Sequence, residues 1–499
     1  LPGRTSIVIL LALIELKLSV AVSMSLILKI FLLKTLRTYE DFKAIVFHKK
    51  QVAISKEAKH LIEESYNFLK EFANDKIIYG VNTGFGPMAQ YRIEPEDQLQ
   101  LQYNLIRSHA SGCGEVFDIK TVRAAILCRL NSLSLGKSGV HIEAIELMRD
   151  LLNYRITPLI FQHGGVGASG DLVQLAHLAL VLIGEGEVFY KGLRRPTAEV
   201  FAEVGIKPLQ IHLREGLSLM NGTSVMTGLA GVNLYYAEKL LDWTVKFSCA
   251  INELVQTYDD HFSPELNNAK QHSGQQDIAK LMREFLTDSK RTRKRAEHLY
   301  QGEHNETVFK EKVQEYYSLR CVPQILGPVL DTLQHTQRIF EEELNSANDN
   351  PIIDLPTQQV YHGGNFHGEP LALAMDFFGI AMAEFGSISE RRQARMVDAS
   401  LSGLPPFLIE GSGLNSGFMI PQYVSASLVS ENKVLAHPSC VDSIPTSANQ
   451  EDHVSMGGYS ARKAAAILDN VRKVVAVELL TGAQALEFSL KDLKPGEGT

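Results

Sequence analysis

The feature that most limits what this chain can fold into is a helical repeat of apolar residues through its second half. Ala464, Leu468, Val471, Val475, Leu479, Gly482 and Leu486 recur at spacings of three and four. Leu371, Met375, Phe378, Met382 and Phe385 do the same, as do Ile325, Val329, Leu333, Thr336 and Phe340. That spacing lays one apolar face along an α-helix. Asn233 to Thr257 reads as helix throughout. Helices this long must cover such faces, so they bundle against each other and against other subunits. Strand signals are few and local, as in EVFYKG at 187–192. The fold is expected to be mainly α: a long-helix bundle core with a smaller mixed N-terminal region. At 499 residues, with 45% hydrophobic and 21% charged residues, the chain has ordinary globular composition and enough length for a large core.

Charge and cysteine usage remove several classes of function. A formal net charge of −8 gives no general attraction to nucleic acid or to anionic membranes. The expected partner is a small molecule or another protein. Cys113, Cys128, Cys249, Cys321 and Cys440 are far apart and form no CxxC pair, which argues against a disulfide framework or structural zinc. They read as reduced thiols of a cytoplasmic protein. HExxH is absent, and His362 and His367 in YHGGNFHG read as parts of a hydrogen-bonded loop. The apolar N-terminal stretch is broken by Glu15, Lys17 and Lys29, and its longest clean run, Ile7 to Ile14, is too short to span a bilayer. Residues 1–35 are treated as a doubtful extension, with Met24 a candidate start and a membrane-attached assembly through residues 5–33 a minor alternative. Arg283 to Lys312 is densely charged and reads as a solvated face or mobile loop, with a flap over a site as the other option.

The chemistry is expected at Gly164–Asp171, where Gly164, Gly165, Gly167 and Gly170 surround Ala168 and Ser169 just ahead of an apolar helix pattern. Glycine costs roughly 0.5–1 kcal/mol against alanine inside regular structure, so a cluster points to a task for the backbone itself. Gly165, Gly167 and Gly170 match GxGxxG after a strand-like TPLIF, which would serve a dinucleotide-dependent oxidoreductase. The surrounding helical chain lacks the repeated strand–helix–strand context that this motif needs. A hydrolase elbow requires glycine where Asp171 stands. Asp171 is expected to cap the helix that starts near Leu172, but a cap does not require a glycine cluster.

GASGDL resembles the signature of the aromatic amino acid ammonia-lyases, the histidine, phenylalanine and tyrosine lyases and their aminomutase relatives. YGVNTGFG (79–86), NGTS (221–224), YYSLRCVPQ (316–324), NSANDNP (345–351), GGNFHGEP (363–370) and NQEDHVSMG (449–457) resemble further blocks of that family, in family order, between about residues 40 and 488. The resemblance implies a fumarase/aspartase-like helical bundle and homotetramers with active sites shared between subunits. It implies an electrophilic methylidene-imidazolone, formed autocatalytically when the amide of Gly170 attacks the carbonyl of Ala168 and Ser169 loses water, with no external cofactor and no metal. A nucleophile without Cβ and a compressed backbone suit that closure. Residues 36–225 would then carry the catalytic tyrosine and the prosthetic-group loop, and 226–499 the bundle and oligomerisation core. The family chain usually continues past the last match, so truncation near Thr499 is an expectation.

Residue by residue, the resemblance makes Tyr79 the base for the β-proton, Tyr317 a second tyrosine for amine or proton handling, and Arg320 a bidentate clamp on the substrate carboxylate. Asn221 would hold the ring carbonyl of the prosthetic group, Asn365 and Gln314 would make polar contacts, and Phe366 would form a wall. Ser108 and His109 lie where the family selects its ring. Glu451 resembles the histidine lyase block, where a carboxylate bonds an imidazole N–H, and facing a bare phenyl ring it would be costly. SERR (389–392) and GLNSGFMIPQ (413–422) resemble that lyase too, whereas GVNTGFGPMAQYRI looks closer to tyrosine lyases. Elimination of ammonia from L-histidine to trans-urocanate is the expected activity. Tyrosine elimination to p-coumarate is the runner-up, ahead of an aminomutase.

Overall fold

Three helices of about thirty residues, Ser224–Leu254, Glu369–Val397 and Gly457–Leu486, set the frame of the molecule. The computed structural model describes residues 31–33, 38–302, 305–309, 311–489 and 492–499. Glu369–Val397 and Gly457–Leu486 pack along one another, with Met419–Leu435 against both. Ser224–Leu254 lies between Gly457–Leu486 and the buried helix Ile119–Leu133, and Val322–Leu344 packs on Ser273–Phe285 and Glu369–Val397. Small antiparallel sheets hang on this bundle: Cys113–Val116 with Phe161–His163, Thr157–Pro158 with Glu187–Tyr190 and Leu193–Pro196, and Ile352–Asp354 with Gln359–Tyr361. The expected mainly α architecture is what the chain adopts.

The apolar repeats explain the packing. Leu371, Met375, Phe378, Met382 and Phe385 are all fully buried, and each such side chain contributes roughly 1.5–3 kcal/mol through burial. In Gly457–Leu486 the expected face holds as far as Val475. Beyond it the buried line moves to Glu478, Thr481 and Ala485, leaving Leu486 exposed. The buried positions keep a seven-residue repeat, Ala464, Val471, Glu478 and Ala485, whereas the apolar stripe steps by eleven from Ala464 to Val475 and Leu486, so the two part company along the helix. Glu478 is accommodated there because Arg392 and Ser389 of the neighbouring helix bond its carboxylate.

Two boundaries differ from the sequence expectation. The helix expected at Asn233–Thr257 begins at Ser224 and ends at Leu254. The described part of the basic run 283–312 is largely solvent-exposed, as expected, and two of its arginines anchor it: Arg293 and Arg295 stack on the ring of Tyr258, and Arg295 pairs with Asp260 at 2.8 Å. Of the N-terminal extension, Phe31–Leu33 forms a strand parallel to Val52–Ile54; the readings for the rest of residues 1–35 lie outside the described residues. Glu369–Val397 is long and apolar enough to cross a membrane, but 67% of its most apolar window is buried inside the protein. The bundle covers the face of Leu371, Met375, Phe378, Met382 and Phe385, while Leu373, Phe377 and Ile380 stay exposed.

The long helices are aligned head to head. At one end, the backbone before Ser224, Glu369 and Gly457 gathers around Met226, so closely that a Cβ on Gly368 or Gly457 would fall 2.4 or 2.7 Å from its sulfur. At the other end, Leu254, Met396 and Ala485 share a separate apolar cluster with Leu319. This polarity decides which residues of one chain can meet.

Candidate active site

The glycine segment lies at the end where the long helices begin. Ser169 has φ +49 and its neighbours Gly167 and Gly170 have φ +91 and +77. The left-handed region costs a residue with a Cβ roughly 1–2 kcal/mol, so the tight turn at Ser169 is imposed by its surroundings. The Gly170 N–H donates to Gly167 O at 3.2 Å and closes the turn. Gly222 N–H donates to Ser169 O at 3.0 Å, and Asp171 N–H to Gly222 O at 2.7 Å. A Cβ on Gly170 would lie 2.2 Å from Gly222 O, so only glycine fits. From the other side, Met456 N–H donates to Val166 O at 3.0 Å, and Gly167 abuts Ser455.

The turn is thus gripped by the first turns of Ser224–Leu254 and Gly457–Leu486, next to that of Glu369–Val397. Each helix start carries about half a positive charge, which favours negative charge developing between them. Among the described residues, the Ser169 hydroxyl makes no hydrogen bond. A bent, clamped backbone with an unengaged serine fits a prosthetic group made from Ala168, Ser169 and Gly170. It does not fit a dinucleotide cradle: the flanking strands are antiparallel, and a Cβ on Gly165 would already meet Gln174 at 2.5 Å.

Asp171 sits at the N-cap position of Leu172–Leu182 but makes no side-chain cap there. Its carboxylate instead accepts from Val225 N–H at 2.7 Å and Met226 N–H at 2.9 Å, capping Ser224–Leu254. The cap expected from sequence is therefore on the other helix, because the turn aims this side chain across it. Burial pushes the Asp171 carboxyl up to about 7, against those two N–H groups, which favour its charged form. An acid whose pKa rises on folding stabilises fully below its unfolded value and loses that contribution as pH climbs through the folded one. Asp171→Asn keeps an acceptor and removes the titration. Relative to the parent, the variant should gain stability between about pH 4 and pH 7. Urea unfolding at both ends of that window checks this, and a constant difference would rule the titration out.

Behind the turn lies a buried polar lattice. Asn221 donates through Nδ2 to Asp349 Oδ1 at 2.8 Å and to Asn350 O at 3.1 Å. Both N–H bonds are used, so Asn221 presents an acceptor to the site and not the donor that the expected hold on a ring carbonyl would need. Asp349 is ion-paired with Arg214 at 3.2 Å, both fully buried, and Arg214 also donates to Ser138 O and Asn350 O. Arg129 donates to Asn348 Oδ1 at 3.1 Å, and Asn348 donates to Thr223 Oγ1 at 2.7 Å. Asn350 Oδ1 accepts from Gly363 N–H at 2.8 Å, which ties in the loop of Asn365 and Phe366. Asn365 donates to Ala347 O at 3.4 Å, and Phe366 is half-buried. Sequence reasoning gave no role to Arg129, Arg214, Asn348 or Asp349; the NDNP block was the only signal.

Tyr79, His109 and Glu451 converge nearby. The turn Gly86–Met88, whose Gly86 N–H donates to Tyr79 Oη at 3.1 Å, packs on Ser447–Asn449 just before Glu451. Glu451 Oε2 accepts from Thr446 Oγ1 and Ser447 Oγ, each at 2.7 Å. Burial raises the Tyr79 pKa, with Gly86 N–H and Arg214 opposing and Glu451 adding to the rise. Burial lowers the His109 pKa, with the Leu105 carbonyl and Glu451 opposing. The 2.9 Å contact of His109 Nδ1 with Leu105 O requires the proton on Nδ1, which leaves Nε2 as an acceptor. Ser108 is exposed, its Oγ 3.0 Å from His109 Nδ1. His362 accepts from Tyr79 N–H at 3.3 Å, and His367 Nε2 lies 3.3 Å from His453 O, so both are hydrogen-bonded loop histidines.

Gln314, Tyr317 and Arg320 are not brought to this place. Gln314 and Tyr317 are exposed, and the Arg320 guanidinium lies 4.8 Å over the Tyr317 ring with its buried Nε unpartnered. Leu319 anchors them in the apolar cluster at the far ends of the long helices. Thirty residues at 1.5 Å per residue put the two groups on the order of 40 Å apart within one chain.

Fold and turn together define a lyase of the kind that the motifs resemble: residues 37–499 match the aromatic amino acid lyase family, and the chain belongs to it. It is a carbon–nitrogen lyase. A histidine ammonia-lyase of Deinococcus radiodurans is 46% identical over 462 residues, covering 92% of this chain and 85% of that one. The solved histidine ammonia-lyase of Trypanosoma cruzi superposes with a TM-score of 0.83 at 35% identity, over 94% of this chain and 86% of that one. The tyrosine aminomutase of Streptomyces globisporus superposes with a TM-score of 0.85 at 37% identity, over 90% and 87%.

Proposed function

We propose that this chain eliminates ammonia from L-histidine to give trans-urocanate. The observation that carries the reading is Glu451, a carboxylate fixed by Thr446 and Ser447 beside His109 and Tyr79, which suits a ring bearing an N–H. The names of the relatives in Deinococcus radiodurans and Trypanosoma cruzi support it. A methylidene-imidazolone made from Ala168, Ser169 and Gly170 would supply an electrophilic alkene carbon next to the substrate amine.

The chain's own residues then have distinct tasks. Tyr79 takes the β-proton; because burial disfavours its phenolate, deprotonation depends on the positive helix starts and Arg214. Asn221 orients the amine through its free acceptor. Arg320 clamps the carboxylate, with Tyr317 and Gln314 beside it, Asn365 adds a polar contact, and Phe366 walls the ring. Because Arg320 and Ser169 are on the order of 40 Å apart in one chain, a complete site takes Arg320 from another copy. A homotetramer with shared sites follows naturally, and unpaired cysteines suit the reducing cytoplasm.

The test is ultraviolet absorbance of purified protein with L-histidine or L-tyrosine and no added cofactor, since either elimination forms a conjugated acrylate. A rise with histidine alone supports the proposal; a rise with tyrosine alone overturns it. Glu451→Gln keeps the shape and loses the charge. It should lower kcat/KM for histidine roughly ten- to a hundred-fold, the scale of a charged hydrogen bond.

A further inference from the structure

A second group of chemistry-bearing side chains lies outside the active site, where the helix Ile142–Tyr154 begins. His141 caps that helix, Glu143 stands in its first turn, and His212 comes from the loop that leads to Arg214. One donor atom from each lies within 4.8 Å of the others. The carboxylate sits between the two imidazoles: Glu143 Oε2 is 3.3 Å from His212 Nε2 and 3.7 Å from His141 Nδ1. Two ligands of a tetrahedral zinc ion, each about 2.05 Å from the metal, are separated by about 3.3 Å. The first distance already has this value, and the second requires a shift of a few tenths of an ångström.

The surroundings hold these donors in place. Glu215 is fully buried and accepts three backbone N–H groups: His141 at 2.9 Å, His212 at 2.9 Å and Leu213 at 2.8 Å. One carboxylate therefore fixes the backbone of both histidines. The rings lie 4.1 Å apart, and Tyr66 packs edge-on against both, at 5.0 and 6.3 Å. The bond of Glu143 N–H to His141 Nδ1, at 3.5 Å, is at the limit of a hydrogen bond and is easily released. The side chains of His141, His212 and Glu143 are 26%, 32% and 54% exposed, so an ion and a water ligand can reach them.

We propose that His141, Glu143 and His212 bind one divalent cation of the zinc type, with water as the fourth ligand. Two imidazoles and one carboxylate in this geometry suit zinc, cobalt or nickel and not calcium or magnesium, which require oxygen ligands. The ion ties the start of Ile142–Tyr154 to the loop carrying Arg214, so its binding stabilises the N-terminal region.

The test is titration of chelator-treated, dialysed full-length protein with cobalt(II) at neutral pH, followed by visible absorbance and metal content. The parent should take up one more equivalent per chain than His141→Asn/His212→Asn, with the bands of tetrahedral cobalt. Affinity at this site should fall at least ~100-fold in that variant, beyond the 10–100-fold typical of losing a supporting group. The bonds to Glu215 use backbone N–H groups and survive these substitutions. Glu143→Gln, at an exposed position, should weaken cobalt binding while leaving histidine turnover unchanged. Zinc should raise the unfolding temperature of the parent and not of the double variant. Equal metal content in parent and double variant, or adventitious uptake with no tetrahedral bands, overturns the proposal.

Discussion

Ser169→Ala should abolish turnover while leaving the protein folded. Alanine accepts the same φ of +49 no worse than serine, and the lost hydroxyl makes no hydrogen bond among the described residues. Stability should therefore stay within about 0.5 kcal/mol of the parent. Activity should fall a thousand-fold or more, roughly 4 kcal/mol of barrier, because the variant removes the hydroxyl whose loss creates the electrophile. Intact mass gives an independent reading. The parent should be lighter than its translated sequence by the water released on cyclisation and the water lost from serine, and the variant should not lose the second. A parent of unmodified mass, or an active variant, would sink the proposed chemistry.

Asp349→Ala should be the most destabilising single change near the site. It leaves Arg214 fully buried without its counter-charge, and breaking such a pair costs about 3–5 kcal/mol. It also removes the acceptor that holds Asn221 at 2.8 Å, so the protein that does fold should show a lower kcat. Stability and function can be separated. Arg214→Met with Asp349→Leu replaces the pair by apolar volume and should recover most of the lost stability, because no uncompensated charge remains. It should not recover turnover, since Asn221 stays unheld. Chemical denaturation and steady-state kinetics on the three proteins decide this; parental stability in Asp349→Ala would show that the pair does not carry the lattice.

The long helices were legible because their signal is local: a face repeated every three or four residues needs no knowledge of what lies opposite. Gly164–Asp171 was legible for a similar reason, since a dense run of glycines around one serine is unusual wherever it lies. What could not be read is what depends on distant partners. Arg214 and Asp349 are 135 positions apart, and neither shows a pattern in its own neighbourhood. Asp171 looked like the cap of its own helix because sequence cannot show that the turn aims it at Val225 and Met226. The charge of the run 283–312 announced its exposure, but not that Tyr258 and Asp260, some thirty residues earlier, hold its arginines. Arg392 and Glu478, 86 positions apart, are likewise unmarked as partners.

The head-to-head alignment of the three long helices also bears on inheritance. With Ser169 and Arg320 at opposite ends of the bundle, the sharing of sites proposed above would leave a single polypeptide with two incomplete halves of different sites. In a cell with one sound and one damaged copy of the gene, subunits mix. A chain lacking Arg320 then spoils sites whose serine came from the sound copy, and a chain lacking Ser169 can still lend its arginine to a neighbour. Damage at either end would therefore remove the same share of sites, and two separately inactive alleles could restore function together.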